Sequence, residues 1–283
     1  MSHDLDEYAG TAADGATFPV SRLGPRDGLP VVLVPGMCDN RRVYWHPDGC
    51  GLANHLAGLG YNVWMVERRG TRGHTVPAGA RRGWDEAMRL DLPAAQQLIL
   101  RHSRRKAFWI GHSYGGVIVS RSLGCGTLDD EWVLGCVLVG SAVDVPLMRS
   151  RVLRRIARAS FWGDPLPTHI LGFGPEDEYR DQLEDMFTWC DIERASHGIT
   201  AELATAALPL LQMPGNRDFL SPPAACDRFA DGYGSADRRR IQIARKTGFT
   251  SDFGHDTLLI NRRKPRTDVF RAISEWIAAH TQP

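Results

Sequence analysis

An apolar run that ends in Gly-His-Ser-Tyr-Gly-Gly most constrains how this chain can fold. Residues 107–111 have the composition of a buried strand, and residues 114–123 have the composition of a helix. Ser113 lies between them, where small neighbours permit a sharp turn that lifts the hydroxyl away from its own backbone. We therefore predict that Ser113 is a nucleophile at a strand–turn–helix elbow, rather than only a small polar residue of a glycine-rich turn.

Short apolar runs and helical patterns alternate on both sides of this elbow. Strands are predicted at 17–22, 31–34, 62–67, 133–139, 209–213 and 240–244, and helices at 52–59, 85–102, 224–230 and 266–280. This alternation is typical of an α/β fold whose mostly parallel sheet has helices on both faces. Between residues 145 and 205 no strand is predicted. We interpret 1–144 and 206–283 as two parts of one core, and 145–205 as an inserted helical cap.

Composition excludes several classes of protein. The 283 residues are 43% apolar and 24% charged, with a net charge of +1, which lacks the basic footprint of a nucleic-acid-binding protein. The first ten residues have no apolar signal region, and the longest nearly apolar run, 132–145, is too short to span a membrane. We expect a cytoplasmic protein; the sequence does not indicate its oligomeric state.

The cysteines show neither CxxC pairs nor metal-ligand spacing. A chain of this size is expected to keep such cysteines as free thiols, and we predict neither a metal site nor an organic cofactor. The six residues are Cys38, Cys50, Cys125, Cys136, Cys190 and Cys226.

Two further segments, together with the elbow, resemble the α/β-hydrolase fold family and its esterase-like and lipase-like serine hydrolases. "LVPGMCDN" (33–40) resembles the oxyanion segment of that family, with Pro35 in place of the usual His. "GYNVWMVERRGTRGH" (60–74) resembles the next strand and its Arg-Gly loop. Within it, "NVWMVERRGTRG" is similar to a segment of acid-lipase members. The resemblance covers nearly the whole chain apart from the cap.

The resemblance implies a catalytic triad in the order Ser, Asp or Glu, His. Asp218 lies in a Gly-Asn-Arg-Asp turn after the predicted strand 209–213, where the family places its acid. His255 lies in a Gly-His-Asp setting near the end of the chain and is the predicted base. Asp144, which follows the strand 133–139, is the alternative acid, because some lipase-like hydrolases take their acid from that earlier strand.

The family also implies an oxyanion site made of two backbone N–H groups, those of Met37 and Tyr114. Cys38 lies beside this site, either as part of the pocket wall or as a reactive thiol, of which we favour the first. Four aromatic residues of the cap are candidates for a substrate pocket and equally for the core of the cap itself: Phe161, Trp162, Phe187 and Trp189.

The cap begins with a basic amphipathic segment, 146–163. Its apolar residues near helical spacing are Met148, Val152, Ile156 and Ala159, and five arginines occupy much of the remainder. Such a helix can contact an anionic membrane surface or pack its apolar stripe on the core with the arginines in water; we favour the second. The acidic run 176–185 offers partners for these arginines.

We therefore predict a hydrolase acting on a small-molecule carboxylic ester with an apolar acyl or alcohol part, through an acyl-enzyme intermediate. Thioesters, lactones, amides and C–C bonds next to a ketone are alternative substrates for the same triad. A non-catalytic binding protein on this fold is a third hypothesis, which the three filled triad positions disfavour. A serine at the elbow argues against haloalkane dehalogenase and epoxide hydrolase chemistry, where family members carry Asp there.

Overall fold

A single mixed β-sheet organises the chain. The computed structural model describes residues 5–159, 164–170, 172–259 and 267–281. The strands in these ranges are β1 Asp6–Thr11, β2 Thr17–Leu23, β3 Pro30–Val34, β4 Asn62–Val66, β5 Ala107–His112, β6 Val133–Val139, β7 Leu210–Met213 and β8 Arg238–Arg240. They form one sheet in the order β1-β2-β4-β3-β5-β6-β7-β8. Strands β3 to β8 are parallel, whereas β2 pairs antiparallel with both β1 and β4.

Helices cover both faces of this sheet. They are α1 Leu52–Gly58, α2 Trp84–Glu86, α3 Leu92–Ser103, α4 Tyr114–Gly124, α5 Arg151–Ala159, α6 Arg180–Ser196, α7 Gly198–Glu202, α8 Pro223–Asp231 and α9 Thr267–Ala279. A π-helical turn, Ala87–Asp91, joins α2 to α3, and Pro93 lies in the first turn of α3.

The alternation of side chains along each buried strand creates two apolar cores. In β3, Val32 and Val34 pack against α3 and α4, whereas Val31 and Leu33 face α1 and α9. A strand buried on both faces reads as a continuous apolar run, which is why the sequence predicts the central strands well. The predicted α/β class with a mostly parallel, doubly covered sheet is confirmed.

Two edge strands differ from the sequence-based expectation. Strand β1 was not predicted because its residues are polar and largely exposed along one side. Strand β8 occupies Arg238–Arg240 instead of the predicted 240–244. Its partner β7 ends at Met213, and the following Pro214 has no N–H to continue the ladder. Beyond Arg240 the pairing continues only as an isolated bridge between Ile243 and Gly215, in which the Ile243 N–H donates to the Pro214 carbonyl at 2.8 Å.

The helices α5, α6 and α7 lie between β6 and β7, in the segment that the sequence assigns to a cap. Among the described residues of 145–205 the only β-type pairing is a bridge between Leu166 and Glu178. The boundaries 145 and 205 stay predictions. Of the pocket candidates, Phe161 and Trp162 lie outside the described residues.

Helix α5 has the opposite orientation to the one favoured from sequence. Val152 and Ile156 are 64% and 56% exposed, whereas Arg154 is buried. The Arg154 guanidinium lies over the Phe187 ring, 5.2 Å from its centre, and pairs with Asp191 at 2.6 Å. These partners on α6 stabilise the buried cation. Because Val152 and Ile156 are exposed, the favoured packing of the apolar stripe on the core is wrong.

The acidic run 176–185 supplies only part of the pairing expected with the basic helix. Arg158 pairs with Glu184 at 2.6 Å, as expected. Glu178 instead pairs with Arg68, and Asp185 pairs with Arg81, so that these two carboxylates link the cap segment to the core. No helix among the described residues combines the length and the hydropathy needed to traverse a bilayer.

Candidate active site

The elbow at Ser113 joins β5 to α4 with a backbone conformation that few residues adopt. Ser113 has φ 54° and ψ −127°, and its N–H donates a 2.9 Å hydrogen bond to the Val139 carbonyl. The glycines around it are required by close packing. A Cβ on Gly111 would lie 2.2 Å from Gly116 Cα, and one on Gly115 would lie 2.1 Å from the Val34 carbonyl oxygen. The elbow predicted from sequence is therefore present.

The structure brings Ser113, His255 and Asp218 into one hydrogen-bonded chain. His255 Nε2 is 2.7 Å from Ser113 Oγ, and His255 Nδ1 is 2.7 Å from Asp218 Oδ2. The imidazole is 8% exposed and the Asp218 side chain is fully buried, whereas Ser113 is partly exposed. A histidine that bridges a hydroxyl and a buried carboxylate has the geometry needed to accept the hydroxyl proton.

Asp218 is held by the turn that follows β7. Its Oδ1 accepts hydrogen bonds from the N–H groups of Leu220 and Ser221, at 3.0 and 2.7 Å, which leaves Oδ2 for His255. Asp144, the alternative acid, has different partners. It pairs with Arg149 at the start of the cap, and Arg228 lies 3.7 Å away. Asp218 is therefore the candidate carboxylate that makes the hydrogen bond to His255.

The oxyanion segment predicted after β3 lies against the serine. A Cβ on Gly36 would be 2.7 Å from Ser113 Cβ and 3.3 Å from its Oγ. Within the described part of the chain, the N–H groups of Met37 and Tyr114 donate no hydrogen bond to a protein acceptor. Tyr114 begins α4, where backbone N–H groups have no partner inside the helix. Both amides are thus available beside the hydroxyl.

His112, the residue before the candidate nucleophile, contacts the loop that carries His255. Its Nε2 lies 3.4 Å from the His255 carbonyl oxygen, and the two rings are 5.0 Å apart. Its Nδ1 lies 3.5 Å from Asp39 in the oxyanion segment. The buried His112 therefore packs between the loops that hold the candidate base and the candidate oxyanion amide.

Residues 31–278 match the sequence pattern of the alpha/beta hydrolase family. The chain belongs to this family. The matched range includes all three residues of the hydrogen-bonded chain as well as the cap.

Solved structures of esterases and lipases share the fold at low sequence identity. A soluble variant of monoglyceride lipase from Saccharomyces cerevisiae is 16% identical, with a TM-score of 0.70 over 100% of this chain and 96% of that chain. A monoacylglycerol lipase from Paleococcus ferrophilus is 18% identical, with a TM-score of 0.65 over 93% of this chain and 99% of that chain. Esterase Pf2001 of Pyrococcus furiosus is 15% identical, with a TM-score of 0.66 over 99% and 92%.

One curated relative matches locally. Lipase member K of Mus musculus is 39% identical over 83 residues, which cover 24% of this chain and 21% of that protein. The chain thus matches about a fifth of the length of that relative.

The cap candidates Phe187 and Trp189 lie in the packed core of this α/β hydrolase. Both are buried, and the Trp189 ring stacks on Tyr114 with centres 5.9 Å apart and planes 12° apart. The ring that follows the nucleophile therefore contacts the cap. A role for Phe187 and Trp189 in substrate binding stays a prediction.

Cys38 and Glu178 form a contact that sequence reasoning missed. The Cys38 N–H donates to Glu178 Oε1, which also accepts from Arg68. Burial raises the pKa of the Cys38 thiol, and the carboxylate of Glu178 raises it further, so the thiol stays protonated and is a poor nucleophile. No local pattern marks Glu178, which is 140 residues from Cys38 in sequence.

Among the described residues no group of three or more His, Cys, Asp or Glu side chains has an arrangement that could hold a metal ion.

Proposed function

We propose that this α/β hydrolase cleaves carboxylic esters through a covalent acyl-Ser113 intermediate. The observation that carries the proposal is the pair of 2.7 Å contacts made by His255, one to Ser113 Oγ and one to Asp218 Oδ2. The partly exposed serine at an elbow supports it further, because a substrate carbonyl can approach such a hydroxyl. The esterases and lipases among the proteins of similar fold agree with this reaction class.

In the proposed mechanism, His255 Nε2 takes the Ser113 proton as Oγ attacks the ester carbonyl carbon. Nδ1–H donates to Asp218, which keeps the imidazole in the tautomer that has a free acceptor at Nε2. The Met37 and Tyr114 N–H groups donate to the oxyanion of the tetrahedral intermediate. His255 then gives its proton to the departing alcohol.

Deacylation repeats these steps with water in place of the serine. His255 takes a proton from water, the resulting hydroxide attacks the acyl carbonyl, and collapse of the second intermediate returns the proton to Ser113 Oγ. This chemistry needs no metal ion or organic cofactor. For the substrate we propose a small ester with an apolar acyl or alcohol part, which the apolar material of the cap would cover.

The test is covalent labelling together with turnover. A fluorophosphonate probe should label the wild-type protein and not Ser113→Ala, since the probe phosphonylates an activated serine. Hydrolysis of p-nitrophenyl butyrate should fall by about 10⁴-fold or more in Ser113→Ala. A series of p-nitrophenyl esters of increasing acyl length then measures the apolar preference.

Ser141 provides a matched control, because it is a buried serine near the elbow and its hydroxyl contacts backbone carbonyls instead of a histidine. Ser141→Ala should keep the label. A wild-type protein that is folded but takes no label would contradict the mechanism. Labelling of Ser113 without ester hydrolysis would indicate that the bond cleaved is instead that of a thioester, a lactone or an amide, or a C–C bond next to a ketone.

A further inference from the structure

The loop that carries the Met37 amide depends on the cap for its conformation. Cys38, the next residue, has φ 57°, a left-handed conformation that a residue with a side chain holds only when its surroundings enforce it. The supporting contacts come from the segment Gly174–Glu178, which we name the cap clamp.

Three contacts join the cap clamp to Cys38. The carboxylate of Glu178 accepts the Cys38 N–H, and the Glu176 N–H donates to the Cys38 carbonyl at 3.0 Å. Gly174 packs so closely that a Cβ there would lie 2.2 Å from the same carbonyl oxygen. Both polar groups of the Cys38 backbone are therefore bound by the cap. The Asn40 side chain adds a 2.6 Å hydrogen bond to Glu176.

Glu178 is itself fixed from two sides. Its backbone exchanges hydrogen bonds with Leu166, at 2.8 and 3.2 Å. Its side chain is 2% exposed and pairs with Arg68, which follows β4 and is 4% exposed. Oε1 accepts from both Cys38 and Arg68, whereas no donor among the described residues contacts Oε2. One carboxylate oxygen thus joins the cap, the end of β4 and the oxyanion loop.

We propose that Glu178 is a positioning residue of the cap that aims the Met37 amide at Ser113. By accepting the Cys38 N–H, Glu178 fixes the peptide between Met37 and Cys38. This peptide shares the Met37 Cα with the peptide whose N–H is the proposed oxyanion donor, so its rotation would misdirect that donor. The inference rests on the proposed ester hydrolysis. It adds to that mechanism a positioning residue from the cap segment, outside the α/β core.

Two variants of Glu178 distinguish the effect of side-chain length from the effect of charge. Glu178→Gln keeps an oxygen that can accept both existing hydrogen bonds and places its NH₂ at the Oε2 position. Glu178→Asp keeps the charge for Arg68 but withdraws the carboxylate by one methylene. We expect kcat to fall about tenfold to a hundredfold in Glu178→Asp, with KM within twofold, and to stay within about threefold of wild type in Glu178→Gln.

A transition-state mimic makes the test specific for the oxyanion site. A trifluoromethyl ketone forms a tetrahedral adduct with the serine, so its affinity for Glu178→Asp should fall by the same factor as kcat/KM. Gly174→Ala is an independent second variant, because its methyl group would displace the Cys38 carbonyl. It should lower kcat in the same way, and it keeps the proposal testable if Glu178→Asp does not fold.

Asp185 supplies the matched control. It is another buried cap carboxylate that accepts one core N–H, from Asp85 at 3.1 Å, and one arginine, Arg81 at 2.6 Å, but it does not contact the oxyanion loop. Asp185→Asn should lower stability and leave kcat unchanged. Equal kcat losses in Asp185→Asn and Glu178→Asp, or unchanged kcat in a folded Glu178→Asp, would overturn the positioning role. If the wild-type protein neither labels nor hydrolyses esters, the proposed function itself fails.

Discussion

Ser113 combines a reactive position with a strained backbone. Its φ of 54° and ψ of −127° lie in a region that non-glycine residues avoid, at a cost of about 1–3 kcal/mol. The surroundings offset this cost, because the serine N–H binds the Val139 carbonyl and the α4 N-terminus begins directly after it. The strain points the hydroxyl at His255 instead of at its own helix. At the residue scale, the site depends on which carboxylate orients that histidine.

Replacement of each candidate acid by its amide distinguishes them. Asp218→Asn should lower kcat by about 10²–10⁴-fold, because an amide facing Nδ1 no longer favours the required imidazole tautomer. Asp144→Asn should change kcat less than threefold, since Asp144 contacts Arg149 and Arg228 instead of His255. Steady-state hydrolysis of one p-nitrophenyl ester by both variants gives the ranking. The reverse ranking would assign the acid to the strand β6.

At the scale of elements, the elbow depends on the close approach of helix α4 to the loop after β3. The backbone of Gly115 in the first turn of α4 packs against the carbonyl groups of Val34 and Pro35. No side chain fits between them, so the glycines bring the oxyanion loop and the serine within reach of one substrate carbonyl. Backbone atoms line this contact, and they cannot move aside as a flexible side chain can.

Gly115→Ala should therefore destabilise the fold by about 1–3 kcal/mol, the usual cost of overpacking, and should also lower kcat because the loop after β3 must shift. Gly58 is a matched control, since it is also helical and its Cβ would meet no atom within 4 Å. Gly58→Ala should be neutral or stabilising by about 0.5–1 kcal/mol. Urea unfolding of both variants checks this expectation. Equal effects would show that the packing of α4 on the loop tolerates a methyl group.

At the scale of the whole molecule, buried arginines link parts of the chain that are distant in sequence. Arg69, in the loop after β4, binds Asp91 in the π-helical turn through Nη2 at 2.6 Å and Asp14, between β1 and β2, through Nη1 at 2.6 Å. Burial raises the pKa of Asp91 to about 6 despite this pairing. Ionisation of Asp91 therefore has a cost in the folded state that is absent in the unfolded chain.

This cost predicts how stability changes with pH. The pKa of Asp91 is higher in the folded protein than in the unfolded chain, so protonated Asp91 adds to the free energy of unfolding. This stabilisation is fully present below about pH 4 and is lost as pH rises through about 6. The loss amounts to about 3 kcal/mol at most. Asp91→Asn should remove this decline from the free energy of unfolding, measured in urea between pH 4 and 7. Asp14→Asn should retain it, and a decline unchanged in Asp91→Asn would assign it to another group.

The sequence was sufficient for features that depend on local pattern. The central strands are buried on both faces, so their apolar runs predict them. The glycines of the elbow indicate close backbone packing within a few residues of Ser113. Asp218 and His255 came from resemblance to a family, and their hydrogen bonds depend on the fold. The Glu178 contact to Cys38 and the burial of Arg154 were not predictable, because their partners lie far along the chain or on another helix. Strand β1 was missed because polar, half-exposed residues give no periodic signal.

The three arginines of β8 disfavour pairing of this edge strand with the same strand of a second copy. Arg238, Arg239 and Arg240 are all exposed on the last strand of the sheet, and no strand among the described residues pairs with its outer side. A second copy adding its own β8 to this edge would bring six guanidinium groups together at the spacing of neighbouring strands. Like charges directly opposite each other destabilise strand pairing. This edge therefore resists edge-to-edge aggregation.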